Sequence, residues 1–149
     1  MEFEIVKVDR AHLAEIAALE KICFPEPWSE QALNLFLGND AVAFAAAESG
    51  KVLGYIGLLP APGEGQILNL AVFPEARRRG IAKGLVARVI SEAQARGSES
   101  LSLEVRVSNT PAIRLYQSFG FSVAGTRKGF YRHPVEDALV MIKPLFPNY

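Results

Sequence analysis

The chain has 149 residues, 50% of them hydrophobic and 21% charged, and its 16 basic and 16 acidic side chains cancel to a formal net charge of +0. That is the size and make-up of one folded domain that can bury a core without disulfides or metals, and the charge balance argues against a general nucleic-acid binder, which carries a basic excess. A single cysteine, Cys23, excludes an intramolecular disulfide and fits a reducing cytoplasm, while the longest apolar run, residues 41–47, is too short to span a bilayer, and Glu2 and Glu4 disrupt any signal-peptide core.

Residues 3–8 alternate as a first strand, after which Asp9 is placed to cap a helix carrying Leu13, Ile16, Ala17 and Leu19 as far as Glu20. Pro25 and Pro27 break the pattern, and Ser29 is placed to cap a second helix through Leu33, Phe36 and Leu37 to Gly38. Two strands follow over residues 41–48 and 52–59, joined by a tight turn at Ser49-Gly50-Lys51, and residues 60–65 read as a loop. A strand over residues 66–73 leads to a long helix after Gly80, with Ile81, Leu85, Val86, Val89, Ile90 and Ala93 on one face and a stop near Gly97.

Residues 101–107 form the next strand, and Ser108-Asn109-Thr110-Pro111 opens a helix that ends at Gly120. Late strands over residues 121–130 and 138–142 flank a turn at His133-Pro134. Without an internal repeat or linker, the order predicts one mixed α/β domain over residues 1–149, in which the strands flanking the long helix form a parallel, adjacent pair.

The passage from Val72 to Lys83 carries the strongest chemical signal. It joins a strand to a helix through a loop with Arg77, Arg78, Arg79 and Lys83 around Gly80 and Ala82. A helix start leaves backbone N–H groups without intrahelical partners and adds partial positive charge, so an anion fits there. Gly80 admits backbone angles closed to other residues, and Ala82 keeps the helix entrance narrow. The same residues also read as a solvated basic turn. The spacing Arg77-x-x-Gly80-x-Ala82 resembles the coenzyme A pyrophosphate loop of the GCN5-related N-acetyltransferases (GNAT superfamily), in which Ala82 replaces the commoner glycine.

Strand periodicity over residues 101–107 puts leucine and valine on one face and Ser102, Glu104 and Arg106 on the other. A central carboxylate points to a water-containing cleft, although an exposed Glu–Arg surface fits the strand equally well. Tyr116, on the helix returning to the sheet, reads alone as an amphipathic core residue. Taken together, Leu103-Glu104-Val105-Arg106, Ser108-Asn109, Leu115-Tyr116 and Phe119-Gly120-Phe121 resemble the second half of the RimI-type ribosomal-protein-alanine N-acetyltransferases. So do Pro27-Trp28-Ser29, residues 68–72, Phe130-Tyr131 and Glu136-Asp137-Ala138, so the likeness covers nearly the whole chain. The turn at Arg132-His133-Pro134 is shorter than in some relatives, a departure that bears on acceptor preference.

That resemblance implies a mostly antiparallel mixed sheet with a central parallel pair flanked by helices, and acetyl-CoA as cosubstrate. It implies Glu104 as general base and Tyr116 as general acid. Leu70, Ala71 and Val72 would run beside the pantetheine arm; Arg78, Arg79, Gly80, Ile81, Ala82 and Lys83 would surround the pyrophosphate; Asn109 would contact the cofactor arm. The chemistry agrees: an α-amine with a pKa of about 7.7 to 8.0 becomes a competent nucleophile once a carboxylate takes its proton, directly or through one water. A strand amide near Ala71 or Val72 is available to the oxyanion, and a tyrosine can protonate the departing thiolate.

Cys23 lies outside the matching catalytic segments with no predicted base or positive partner, which argues against a nucleophilic role, and His12 and His133 lack ligand-like spacing, so no metal is expected. The implied acceptor is a protein N-terminus, that of the eighteenth small-subunit ribosomal protein, with no direct nucleic-acid or membrane partner. Trp28 and Tyr131 are candidates for its walls, or else pack beneath loops. An acetyltransferase for lysine or a small amine, and a CoA-binding regulatory module without turnover, are the alternatives. A nucleic-acid contact through residues 77–79 is disfavoured by the missing basic excess and aromatic platform.

Overall fold

The computed structural model describes residues 2–145, which form one seven-stranded sheet and three α-helices. The strands are β1 (Glu4–Lys7), β2 (Val42–Glu48), β3 (Lys51–Leu59), β4 (Glu64–Val72), β5 (Ser100–Arg106), β6 (Ser122–Arg132) and β7 (Val135–Pro144), and the helices are α1 (Leu13–Cys23), α2 (Ile81–Ala95) and α3 (Thr110–Ser118). In space the strands run β1-β2-β3-β4-β5-β7-β6, antiparallel except for the β4–β5 pair that α2 connects. The mixed sheet with a central parallel pair is therefore as expected, because a strand–helix–strand crossover returns the chain in the same direction.

Alternation in β2 divides the core. Val42, Phe44 and Ala46 pack on one side with Leu85, Val86 and Val89 of α2, while Ala43 and Ala45 pack on the other with Leu13, Ile16 and Leu19 of α1. With both faces covered, β2 needs apolar residues at every position, and its small alanines let α1 lie close. Gly57 has a similar purpose: a Cβ there would stand 2.6 Å from the Phe36 ring, so only glycine lets that ring press on the sheet.

Several boundaries differ from the sequence reading. Asp9 caps a short 3-10 turn, Arg10–His12, before α1, and α1 runs on to Cys23 until Phe24, extended ahead of Pro25, ends it. The second expected helix is a 3-10 segment, Ala32–Leu37, with the Ser29 hydroxyl accepting from the Ala32 N–H. Leu33 and Phe36 are the buried pair, and a spacing of three stacks them on one side of a 3-10 turn. β4 begins at Glu64, inside the expected loop, because Glu64 pairs with Ser100 of β5. β7 runs from Val135 to Pro144, because it pairs with β6 at its start and with β5 to its end. Among the described residues no helix is long and apolar enough to cross a membrane.

Candidate active site

The parallel pair is brief. β4 and β5 are in register at Glu64↔Ser100, Gly65↔Leu101 and Gln66↔Ser102, and there the pairing stops. Beyond it β4 stays bonded to β3 through Leu70↔Ile56, Ala71↔Tyr55 and Val72↔Gly54, while β5 stays bonded to β7. The facing edges of β4 and β5 are thus left unpaired where the strands part, and an extended ligand can be held by main chain there. A cleft of about 850 Å³ follows, lined by Leu70, Ala71 and Val72, by the loop and first turn of α2, and by Asn109, Pro111, Ala112 and Leu115 at the start of α3.

The loop into α2 is shaped by two left-handed residues, Arg78 at φ 65° and Gly80 at φ 80°. No side chain caps α2, so its first N–H groups are not taken up by a local carboxylate or hydroxyl. Arg78, Gly80, Ile81, Ala82 and Lys83 all line the cleft. Arg79 does not: its guanidinium reaches both carboxylate oxygens of Glu48, at 3.2 Å each. Asn109 lines the cleft while its Oδ1 accepts from the Ala112 N–H at 3.2 Å, capping α3. Uncapped N–H groups, nearby cations and open space at Gly80 fit the pyrophosphate of a nucleotide thioester, and the unpaired β4 edge fits its amide-bearing arm.

Glu104 stands on β5 two residues past the last paired position and on the same face as Ser102. Its Oε1 accepts from the Gln66 amide at 3.1 Å, and its Oε2 meets Arg127 Nε at 3.1 Å. Gln66 was not singled out by sequence, although its register opposite Ser102 on the partner strand is the signal that would have found it. Arg127 is 59% exposed, so this ion pair sits at the solvent boundary.

Tyr116 is buried, 5% exposed, with its ring edge-on to Phe121 at 5.4 Å. Burial, with a smaller push from Tyr131, raises its phenol well above the ordinary range, so it keeps its proton. Its neighbours Ala112 and Leu115 line the cleft. Tyr131 links the two candidates electrostatically: burial raises its phenol, Arg106 opposes that, and Glu104 and Glu136 add to it. Neither Glu104 nor Tyr116 is itself among the residues lining the cleft.

The β6–β7 hairpin is fastened by the two carboxylates of the Glu136-Asp137 motif. Glu136 binds Arg106 at 3.0 Å and accepts from the Ser108 N–H at 2.8 Å; Asp137 accepts from the Gly129 N–H at 2.8 Å, where residues 128–130 bulge from the ladder. Arg106 also donates to the carbonyls of His133 and Pro134 and lies over the Tyr131 ring, 4.3 Å from its centre. Trp28 stacks on Phe36 at 5.7 Å, and its own N–H donates to Glu20.

Cys23 was expected away from the site, yet it lines the cleft, with its thiol 3.6 Å from an Arg77 nitrogen that sequence did not reveal as a partner. Burial still raises the thiol, outweighing Arg77, so it is no thiolate nucleophile. Arg77, the first residue of the loop pattern, lines the cleft while its Nε donates to the Val72 carbonyl at 3.1 Å, and Phe24 is a further wall residue that sequence reasoning did not assign to the cofactor cleft. Among the described residues, no cluster of three or more His, Cys, Asp or Glu side chains could hold a metal ion.

Comparison with known proteins places this geometry in company. The model of the acetyltransferase (GNAT) family matches residues 13–121. The chain is 35% identical over 121 residues to the ribosomal protein bS18-alanine N-acetyltransferase of Escherichia coli K12, covering 80% of this chain and 82% of that one. It is 34% identical over 147 residues to an N-alpha-acetyltransferase of Saccharolobus solfataricus, covering 95% and 86%. The crystal structure of the Escherichia coli ribosomal-protein-S18-alanine N-acetyltransferase superposes with a TM-score of 0.90 at 30% identity, over 99% of this chain and 97% of that one.

Proposed function

The chain belongs to the acetyltransferase (GNAT) family and is an acetyl-CoA-dependent N-acetyltransferase, and from that premise we propose that its acceptor is the N-terminal amine of a protein, the N-terminal alanine of the eighteenth small-subunit ribosomal protein. The likeness to relatives named for that reaction supports the acceptor class. The observation that carries the reading is the early parting of β4 and β5, which leaves a main-chain edge at Leu70, Ala71 and Val72 on one strand and Glu104 just past the last pair on the other.

In this reading Arg78, Gly80, Ile81, Ala82 and Lys83 hold the pyrophosphate, the Arg79 main chain completes the loop, and Asn109 touches the cofactor arm. Acetyl-CoA, when bound, supplies the activated acyl group and leaves as a thiol. Glu104 takes the proton from the incoming ammonium, directly or through one water, and Gln66 keeps its carboxylate turned to one orientation. Tyr116, whose buried phenol retains its proton across the physiological range, donates to the departing sulfur. Trp28 and Tyr131 flank the acceptor peptide. The compartment is a reducing cytoplasm, in keeping with the lone thiol. The test is a peptide panel with free or blocked N-termini and internal lysines, incubated with acetyl-CoA and read by mass spectrometry. Acetyl on the α-amine of alanine-initiated peptides supports the proposal; modification of lysine side chains alone overturns it.

A further inference from the structure

The mechanism leaves one buried charged side chain unused. Glu20, on the last turn of α1, has no exposed surface. A carboxylate in that position costs several kcal/mol unless its oxygens are fully partnered, and here they are. Oε1 accepts from the backbone N–H of Trp28 at 2.9 Å; Oε2 accepts from the Asn69 side-chain amide at 2.8 Å and from the Tyr55 hydroxyl. The three donors come from three different parts of the fold. Trp28 belongs to the proline-bounded loop after α1, Tyr55 to β3 beneath it, and Asn69 to β4, immediately before the Leu70–Val72 edge that walls the cleft.

From this arrangement we infer that Glu20 is a positioning residue, tying the Trp28 loop to the β4 edge so that the acceptor wall and the cofactor wall are held at a fixed separation. At the start of the loop Phe24 packs on the core and its N–H closes α1 on the Glu20 carbonyl. Pro25 and Pro27 lack N–H groups, so the Trp28 N–H is the main-chain donor by which this stretch is anchored inward. Trp28 then lies flat on Phe36, which itself presses on Gly57 of β3. The inference rests on the peptide-acceptor reading for its kinetic consequence but not for its structural one. What matters is an acceptor at the Oε1 position, since Tyr55 can rotate its hydroxyl and Asn69 can turn its amide to meet an NH2 group at Oε2.

Trp28 is the single tryptophan of the chain, so its fluorescence reports the loop directly. The experiment compares Glu20→Met, which cannot accept, with Glu20→Gln, which can, in acrylamide quenching and in steady-state kinetics with an alanine-initiated peptide. Glu20→Met is expected to raise quenching of Trp28 and to raise the peptide KM about tenfold, with kcat and the calorimetric Kd for CoA changed less than about threefold. Glu20→Gln is expected to restore both readouts to near the parent values. Tyr55→Phe, which removes one Oε2 donor while keeping the ring, gives a smaller shift in the same direction and decides the matter if Glu20→Met does not fold. The inference is overturned if folded variants leave quenching and peptide KM unchanged, or if kcat and CoA binding fall in step with KM. If the parent enzyme acetylates no peptide, the acceptor reading fails and the quenching series alone decides the positioning role.

Discussion

Replacing Glu104 with glutamine separates catalysis from architecture, because the contacts of this side chain limit what the fold can lose. Glutamine keeps the volume and an oxygen for the Gln66 amide, so that hydrogen bond survives. What disappears is the pairing with Arg127, and with that guanidinium 59% exposed the loss is about 0–1 kcal/mol. In a chain of this length such a change lowers the melting temperature by roughly 2–4 °C at most. A general base contributes about 10²–10⁴ in rate, equivalent to roughly 3–5 kcal/mol of barrier. Glu104→Gln should therefore cut kcat at saturating peptide by that factor while calorimetry finds CoA affinity within about twofold of the parent. A folded variant whose kcat falls less than about threefold, or whose CoA affinity falls as far as its turnover, would refute the assignment.

Three further outcomes follow from the same geometry. Arg78→Glu should weaken CoA binding about 10–100-fold, the worth of a charge-assisted hydrogen bond, with kcat at saturation much less affected; Arg78→Gly should also weaken binding but hold or raise the melting temperature, since Arg78 sits at φ 65°. Gly80→Ala meets no atom within 4 Å, so its cost is conformational: roughly 1–2 kcal/mol of stability from forcing a Cβ into the left-handed region, with weaker CoA binding, readable by denaturant titration and calorimetry. Glu92, held by Arg96 and Arg88, and Glu136, held by Ser108 and Arg106, both titrate below the ordinary value of 4.5 in the fold. Their stabilisation is complete above that value and is lost as pH falls through the lower folded-state values, so stability should decline on the acid side and the double variant Glu92→Gln/Glu136→Gln should decline less steeply.

Much of this was legible in the chain because local patterns and global fold agree. The alternation in residues 101–107, the turn at Ser49 and Gly50, both with positive φ, and the strand–helix–strand run through α2 each point to one arrangement. What escaped were features decided by partners distant in sequence. Glu64 is strand rather than loop only because Ser100 faces it, and residues 32–37 are 3-10 because Leu33 and Phe36 must meet the core together. Glu20 reads in sequence as a polar residue ending an amphipathic helix; its burial depends on Tyr55 and Asn69, both more than thirty residues away. The cleft residues on β4, at Arg77 and Gly80 and at Asn109 followed from the motif, whereas Cys23, brought against Arg77 from 54 residues away, entered through tertiary packing alone.

The most direct measurement is a crystal structure with a conjugate of CoA and an alanine-initiated peptide joined through the peptide's α-nitrogen. The pyrophosphate is expected on the N–H groups of residues 78–83, the arm along Leu70, Ala71 and Val72, and the α-nitrogen within direct or single-water reach of Glu104, with Trp28 and Tyr131 on either side of the peptide. A conjugate whose α-nitrogen lay beyond that reach, or whose phosphates bound away from Gly80, would contradict this placement.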